Sequence, residues 1–97
     1  MVKNWTLRQR PTRLERRIEF DNYELVREFL DLTAALSERE KFYPDLSFGR
    51  SHASMTIHAA EGSEELDELR LRFAEEVNRF APTNHISAPI DADIPSK

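Results

Sequence analysis

The sequence predicts an α+β domain, in which an antiparallel four-stranded sheet carries two main helices on one face. Apolar residues recur with a period of two in some segments and with helical spacing in others, and these segments follow the order ββαβα along the chain. We expect the fourth strand to be short or drawn from residues 45–50. Residues 1–81 are predicted to form one domain, and residues 82–97, which contain three prolines, a C-terminal tail.

The first two strands are predicted to form a hairpin. Pro11 and Thr12 supply a turn between two segments that alternate apolar and polar residues. The apolar members of these segments are Trp5, Leu7, Leu14, Ile18 and Phe20.

A helix is predicted to follow the hairpin. Asp21 and Glu24 have the spacing of a capping box, helical periodicity continues to Glu40, and Pro44 closes the region. The residues at helical intervals are Val26, Phe29, Leu30, Thr33 and Leu36.

The second half of the chain predicts a two-faced strand and another helix. Residues 53–59 alternate, so that Ala53, Met55, Ile57 and Ala59 share one face, and His52, Ser54, Thr56 and His58 the other. Gly62 and Ser63 end this segment, and Glu64 and Glu65 suit the start of a helix. The buried stripe of that helix is predicted to be Leu66, Leu69, Phe73, Val77 and Phe80. The predicted core includes Phe29, Ile57, Phe73 and Val77.

Length and composition limit the possible functions. A chain of 97 residues with 39% hydrophobic side chains has a modest core, so we expect a homo-oligomer, with a dimer as the simplest form. The chain has no cysteine, and its histidines (His52, His58 and His85) lack metal-ligand spacing, so we expect neither metal nor cofactor. No apolar run is long enough for a signal peptide or membrane span, and we expect a cytoplasmic protein.

Charge is distributed unevenly along the chain. Residues 1–20 contain six Lys and Arg against two Glu, a net charge of +4, whereas the remaining 8 basic and 16 acidic residues have −8. This asymmetry can steer a protein partner, although arginine at strand edges also protects against aggregation. The acidic total and the lack of aromatic residues among the arginines disfavour a nucleic-acid partner.

From Trp5 to Ala60 the sequence resembles the pterin-4a-carbinolamine dehydratases without a gap. Trp5 and Phe20 have the family's separation of 15 residues, and Tyr23 and Phe29 match the aromatic positions of its helix. The segment "FYPDL" lies where the family has His-His-Pro-Asp. The resemblance implies the family's fold and a pocket at this turn.

The same resemblance implies that catalysis is lost. The family's three active-site histidines correspond to Phe42, Tyr43 and Ala60, whereas Pro44 and Asp45 match its motif. Imidazole exchanges protons near neutral pH, but phenylalanine and alanine do not ionise and tyrosine titrates near 10. Ordinary core packing is the alternative interpretation, above all for Phe48 and for one of the two residues at 42 and 43.

Among non-catalytic relatives, the sequence is similar to pterin dehydratase-like proteins encoded with α-carboxysome components. That resemblance implies a bacterial Rubisco assembly factor, with Rubisco subunits or assembly intermediates as partners and association with the carboxysome. The candidate partner-binding residues are Arg8, Arg10, Arg13, Tyr43 and Leu46.

Two other hypotheses stay open. A residual dehydratase would need a different acid-base set, for which His58 with Asp45 is a candidate. The chain would otherwise be an interaction module for some other macromolecule.

Overall fold

A computed structural model describes residues 2–82. The elements in chain order are β1 (Thr6–Arg8), β2 (Arg13–Glu19), α1 (Tyr23–Glu40), β3 (Asp45–Phe48), β4 (His52–His58) and α2 (Glu68–Phe80). All strand pairs are antiparallel and form one sheet in the order β1-β2-β4-β3. The predicted α+β fold is confirmed, including a short strand within residues 45–50. Apart from Pro82, the predicted tail lies outside the described residues.

The central strands β2 and β4 separate a buried face of the sheet from an open one. Their register pairs Leu14 with Ile57 and Ile18 with Ala53, and these four side chains are all buried. The opposite face consists of polar residues such as Glu15 and its neighbour Thr56. The predicted alternation of residues 53–59 is thus observed, although the strand ends at His58.

Helix α1 begins one residue later than the capping box predicts. Asn22 is the N-cap, and its Oδ1 accepts a hydrogen bond from the Leu25 amide at 3.0 Å. A short carbonyl side chain in extended backbone satisfies an amide that the first helical turn leaves free. The helix ends at Glu40 as predicted, because Lys41 adopts left-handed backbone angles (φ 57°) and its amide bonds to the Ser37 carbonyl.

Helix α2 starts later than expected. Its N-cap is Asp67, whose Oδ1 accepts from the Arg70 amide at 3.0 Å. The predicted start at Glu64 and Glu65 is wrong, since these residues belong to the preceding turn, where Thr12 Oγ1 donates to the Glu64 carbonyl at 2.8 Å. A side-chain cap at Asp67 outweighs the attraction of acidic residues to a helix N-terminus.

The predicted core residues Phe29, Ile57, Phe73 and Val77 are buried, as expected. Two other apolar residues differ from expectation. Leu7 is 37% exposed because the three-residue strand β1 lies at the sheet edge, and Phe48 is 51% exposed on the other edge strand. Core packing is therefore the wrong interpretation for Phe48. Neither α1 nor α2 combines the length and apolar character that a membrane-spanning helix requires.

A charged residue lies on the buried face of β2. Arg16 is only 5% exposed, and its guanidinium donates to Asn78 Oδ1 and, at 3.0 Å, to the Pro82 carbonyl. The Trp5 indole donates to the same Asn78 oxygen at 3.0 Å, and Asn78 Nδ2 donates to the Lys3 carbonyl at 2.8 Å. One amide side chain of α2 thus links the N-terminal segment to β2. Burial lowers the pKa of Arg16 below its ordinary value.

Asn78→Ala is expected to reduce the free energy of unfolding by about 2–4 kcal/mol, because a buried guanidinium and an indole N–H lose their shared acceptor. Urea denaturation would measure the change. Glu75→Ala, at an exposed position of the same helix, is the matched control and is expected to alter stability by less than about 0.5 kcal/mol. Equal free energies of unfolding for the two variants would contradict the proposed contribution of these hydrogen bonds to stability.

Candidate functional site

The segment that the resemblance aligns with the family's His-His-Pro-Asp motif connects α1 to β3. The left-handed Lys41 reverses the chain, and the Phe42 amide donates to the Ser37 carbonyl at 3.2 Å. Phe42 is half-buried beneath this turn, whereas Tyr43 is 62% exposed. Adjacent residues of the motif therefore have different environments.

Phe42 packs into the edge of the core. Its ring contacts Phe73 of α2 edge-on, with centroids 5.1 Å apart, and the Arg70 guanidinium carbon lies 4.8 Å from its centroid. Edge-on aromatic pairs and cation–π contacts both stabilise such an arrangement. The ring of Phe42 thus joins the link between α1 and β3 to helix α2.

Arg70 connects this contact to the end of β4. Its Nε donates to the His58 carbonyl at 2.7 Å, and its Nη1 forms an ion pair with Asp67 at 2.6 Å. Sequence reasoning did not identify Arg70. Its spacing of three from Asp67 indicates an ion pair on a helix, but the contact with Phe42 depends on how α2 packs.

Tyr43 presents its phenol to solvent beside α1. The hydroxyl donates a hydrogen bond to Glu38 Oε2 at 3.2 Å. Partial desolvation, and then the hydrogen bond and charge of Glu38, raise the pKa of Tyr43 above 10. Proton transfer by this phenol is thus further removed from neutral pH than in an unperturbed tyrosine.

The structure brings His58 and Asp45 together on the open face of the sheet. His58 Nε2 lies 3.0 Å from Asp45 Oδ2, and the two side chains are 47% and 76% exposed. Ala60 lies beyond the end of β4, where its carbonyl accepts from the Ser63 amide at 2.9 Å. Among the candidate residues, only the His58–Asp45 pair combines an imidazole with a carboxylate.

The candidate partner-binding residues do not form one surface. Arg8 and Arg13 lie on the β1–β2 hairpin, and the Nε atom of each contacts one carboxylate oxygen of Glu15 at 2.8 Å. Hydrogen bonds from Arg13 and then Arg8 lower the pKa of Glu15. Arg10 occupies the turn between the strands with φ 64°.

Tyr43 and Leu46 lie at the other side of the sheet, since β1 and β3 are its two edges. Leu46 is 38% exposed on β3. Any partner that contacts both sets must therefore cover the width of the sheet. Within residues 2–82, no group of three or more His, Asp or Glu side chains is arranged to hold a metal ion, and His85 lies outside this range.

Replacing Glu38 by Gln is expected to lower the pKa of Tyr43, because it removes the negative charge that disfavours the phenolate. The measurement is a spectrophotometric titration of the phenol in a Tyr23→Phe background, which leaves Tyr43 as the single tyrosine. Glu28→Gln, at an exposed position of α1 further from Tyr43 along the chain, is the control and is expected to leave the titration unchanged. Unaltered titration in Glu38→Gln would exclude the contact in solution.

Comparison with known proteins agrees with this fold. No family model matches the sequence. A curated protein of Cupriavidus pinatubonensis that is named as a pterin-4-alpha-carbinolamine dehydratase is 36% identical over 52 residues, which cover 54% of this chain. The matching stretch spans 45% of the length of that relative.

Two solved structures match most of the chain. The first is a pterin dehydratase-like protein described as a RuBisCO assembly factor in the alpha-carboxysome, with a TM-score of 0.73 and 33% identity, covering 84% of this chain and 93% of that protein. The second is a transcriptional coactivator/pterin dehydratase from Brucella melitensis, with a TM-score of 0.74, 17% identity, and coverage of 84% and 85%. The second likeness shows the fold alone. The identity and coverage of the first place this chain in the pterin dehydratase-like family.

Proposed function

We propose that this protein is a non-catalytic pterin dehydratase-like protein that acts as a Rubisco assembly factor associated with the α-carboxysome. The observation that carries the proposal is the chemistry at the degenerate motif. Phe42, Tyr43 and Ala60 cannot exchange protons near neutral pH, while the chain is 33% identical to a protein described as such an assembly factor.

The mechanism that we propose is chaperone-like. The protein, as a homodimer, binds an incompletely assembled form of Rubisco, covers apolar surface that the finished enzyme buries, and is released on completion. Exposed Tyr43 and Leu46 are the proposed apolar contacts, because aromatic and aliphatic side chains anchor protein interfaces. Arg8, Arg10 and Arg13 are proposed to steer the approach of an acidic surface. Binding needs no pterin, metal or nucleotide in this mechanism.

A specific contact favours a second candidate function. His58 and Asp45 form an imidazole–carboxylate pair at 3.0 Å, which is the kind of pair that general acid-base catalysis uses. A pterin-4a-carbinolamine dehydratase with this altered set is the alternative. The exposure of both side chains argues against it, since water solvates the pair and no described side chain encloses it.

Co-expression with the large and small subunits of Rubisco is expected to raise the yield of soluble holoenzyme, without added pterin. Pull-down with the tagged protein should recover Rubisco subunits. An unchanged yield together with no recovered subunit would contradict the assembly function and leave an interaction module of other specificity.

Two variants are expected to distinguish the residues that set the rate of association from those that set the lifetime of the complex. Reversing the charges at Arg8, Arg10 and Arg13 should slow association in a salt-dependent way, because exposed charges act over about 10 Å and are screened by ions. Tyr43→Ala should instead shorten the lifetime of the complex. Arg79→Glu, at an exposed position on α2, controls for a general effect of charge. If the control slows association equally, the hairpin does not steer the partner.

Purified protein is expected not to accelerate pterin carbinolamine dehydration, because positions 42, 43 and 60 have no group that transfers protons at neutral pH. A stopped-flow assay against a histidine-bearing relative tests this. His58→Gln is the matched variant for the alternative function: wild-type turnover that this substitution abolishes would establish the altered dehydratase. The triple variant Phe42→His, Tyr43→His, Ala60→His tests whether a substrate pocket remains. Turnover by this variant in the same assay would show that it does.

A further inference from the structure

Arg16 is the most buried arginine of residues 2–82, and its hydrogen-bond acceptors in this range are uncharged. The side chain lies on the helix-covered face of β2. Its guanidinium donates to Asn78 Oδ1 and to the Pro82 carbonyl. No carboxylate of residues 2–82 forms an ion pair with it. In this part of the chain the positive charge is therefore buried without a negative partner.

The arginines that form ion pairs are all more exposed than Arg16. Seven such arginines occur in residues 2–82, and each keeps between 18% and 77% of its side-chain surface exposed. They are Arg8, Arg13, Arg17, Arg39, Arg70, Arg72 and Arg79. Water solvates exposed charges, so their ion pairs add little to stability, whereas a buried charge is costly unless it is paired. The arginine with the greatest need of a carboxylate is thus the buried one.

The pKa of Arg16 points to the same need. Desolvation lowers this pKa, and no charged group of residues 2–82 acts in the opposite direction. Neutral oxygens such as those of Asn78 and Pro82 replace only part of the hydration that a guanidinium has in water. A carboxylate beside the guanidinium would favour its charged form.

Three N–H donors of Arg16 remain for a further acceptor. A guanidinium has five N–H groups, and two of them donate to Asn78 and Pro82. Nε makes no hydrogen bond within residues 2–82, where Thr33 Oγ1 is the one buried side-chain nitrogen or oxygen without a partner. The Nε atom therefore keeps some contact with solvent. Adjacent N–H groups of one guanidinium bind both oxygens of a carboxylate.

The guanidinium is held in position by residues from two other parts of the chain. Asn78 accepts from the Trp5 indole at 3.0 Å and donates to the Lys3 carbonyl at 2.8 Å, so its own side chain is fixed. A donor that neighbouring contacts already hold in place loses little conformational freedom when it binds a ligand. The site is therefore preorganised for an anion.

The chain beyond Pro82 starts beside this charge. The Pro82 carbonyl lies 3.0 Å from Arg16 Nη2, and residues 83–97 contain two acidic residues, Asp91 and Asp93. Asp91 is nine positions after Pro82, a stretch that spans at most about 30 Å, so either aspartate can return to Arg16. A connection of this length supplies a carboxylate at an effective concentration of about millimolar.

A carboxylate of another molecule has poorer access to this charge. Arg16 is only 5% exposed, so a folded partner reaches it with difficulty. The chain that continues from Pro82 already lies against the guanidinium. Access therefore favours a carboxylate from the same chain.

We propose that Arg16 is the binding site for a side-chain carboxylate of residues 83–97, supplied by Asp91 or Asp93. The ion pair attaches the segment after α2 to β2 and, through Asn78, to the N-terminal segment. This site does not depend on the proposed function.

The test follows the Arg16 Nε–H signal by ¹⁵N NMR in the full-length protein. Combined substitution of Asp91→Asn and Asp93→Asn should move this signal and speed its exchange with water, because a charge-assisted hydrogen bond is lost. Asp31→Asn with Glu28→Gln removes the same charge from exposed positions of α1 and should leave the signal in place. An unmoved signal in the first variant, or equal movement in both, would overturn the proposal.

Urea denaturation provides an independent measurement. The two Asn substitutions should raise the equilibrium constant of unfolding by about threefold more in the parent protein than in Arg16→Met, since residues in contact are energetically coupled. Equal effects in the two backgrounds would contradict the ion pair. If Arg16→Met fails to fold, the NMR comparison decides, because it leaves Arg16 unchanged.

The source and the class of the ligand are tested in the same way. If the Nε–H signal depends on protein concentration and not on the aspartates, a carboxylate of a second copy is the ligand and the proposal is wrong. In the variant with both Asn substitutions, formate should return the signal towards its parent position, whereas chloride at the same ionic strength should not. Equal responses to the two anions would overturn the assignment to a carboxylate.

Discussion

The pairing of β2 with β4 is the constraint on which the rest of the structure depends. Its register decides which residues of both strands lie beneath the helices, because a shift by one residue would exchange the two faces. With Leu14 opposite Ile57, the helix-covered face is apolar except at Arg16. Asn78 of α2 accepts a hydrogen bond from the Arg16 guanidinium and donates one to the Lys3 carbonyl. The position of α2 therefore depends on the register that places Arg16 on this face.

The link between α1 and β3 places two adjacent aromatic residues in different environments. A left-handed residue ends the helix and a proline precedes the strand, which directs Phe42 inward and Tyr43 outward. The inward residue contacts Phe73 and Arg70 and stabilises the packing of α2. The outward residue is a phenol beside a carboxylate. Neither side chain exchanges a proton near neutral pH.

The two edges of the sheet differ in chemical character. The β3 edge has the exposed apolar side chains Leu46 and Phe48. The β1–β2 hairpin at the other edge has two arginines, Arg8 and Arg13, whose guanidinium groups share the carboxylate of Glu15. Charged and apolar side chains thus lie at opposite edges of one sheet.

Periodicity in the sequence by itself determined the order of all elements except β3, the buried faces of β2 and β4, and the core positions Phe29, Phe73 and Val77. These follow from repeats of two and 3.6 residues along one segment. It also determined that positions 42, 43 and 60 lack imidazole. The tertiary structure alone decided the start of α2 at Glu68, the burial of Arg16, the contact of Arg70 with Phe42 and the exposure of Phe48. Each of these depends on residues distant in the chain, and local patterns carry no information about which side chains meet when helices pack onto a sheet.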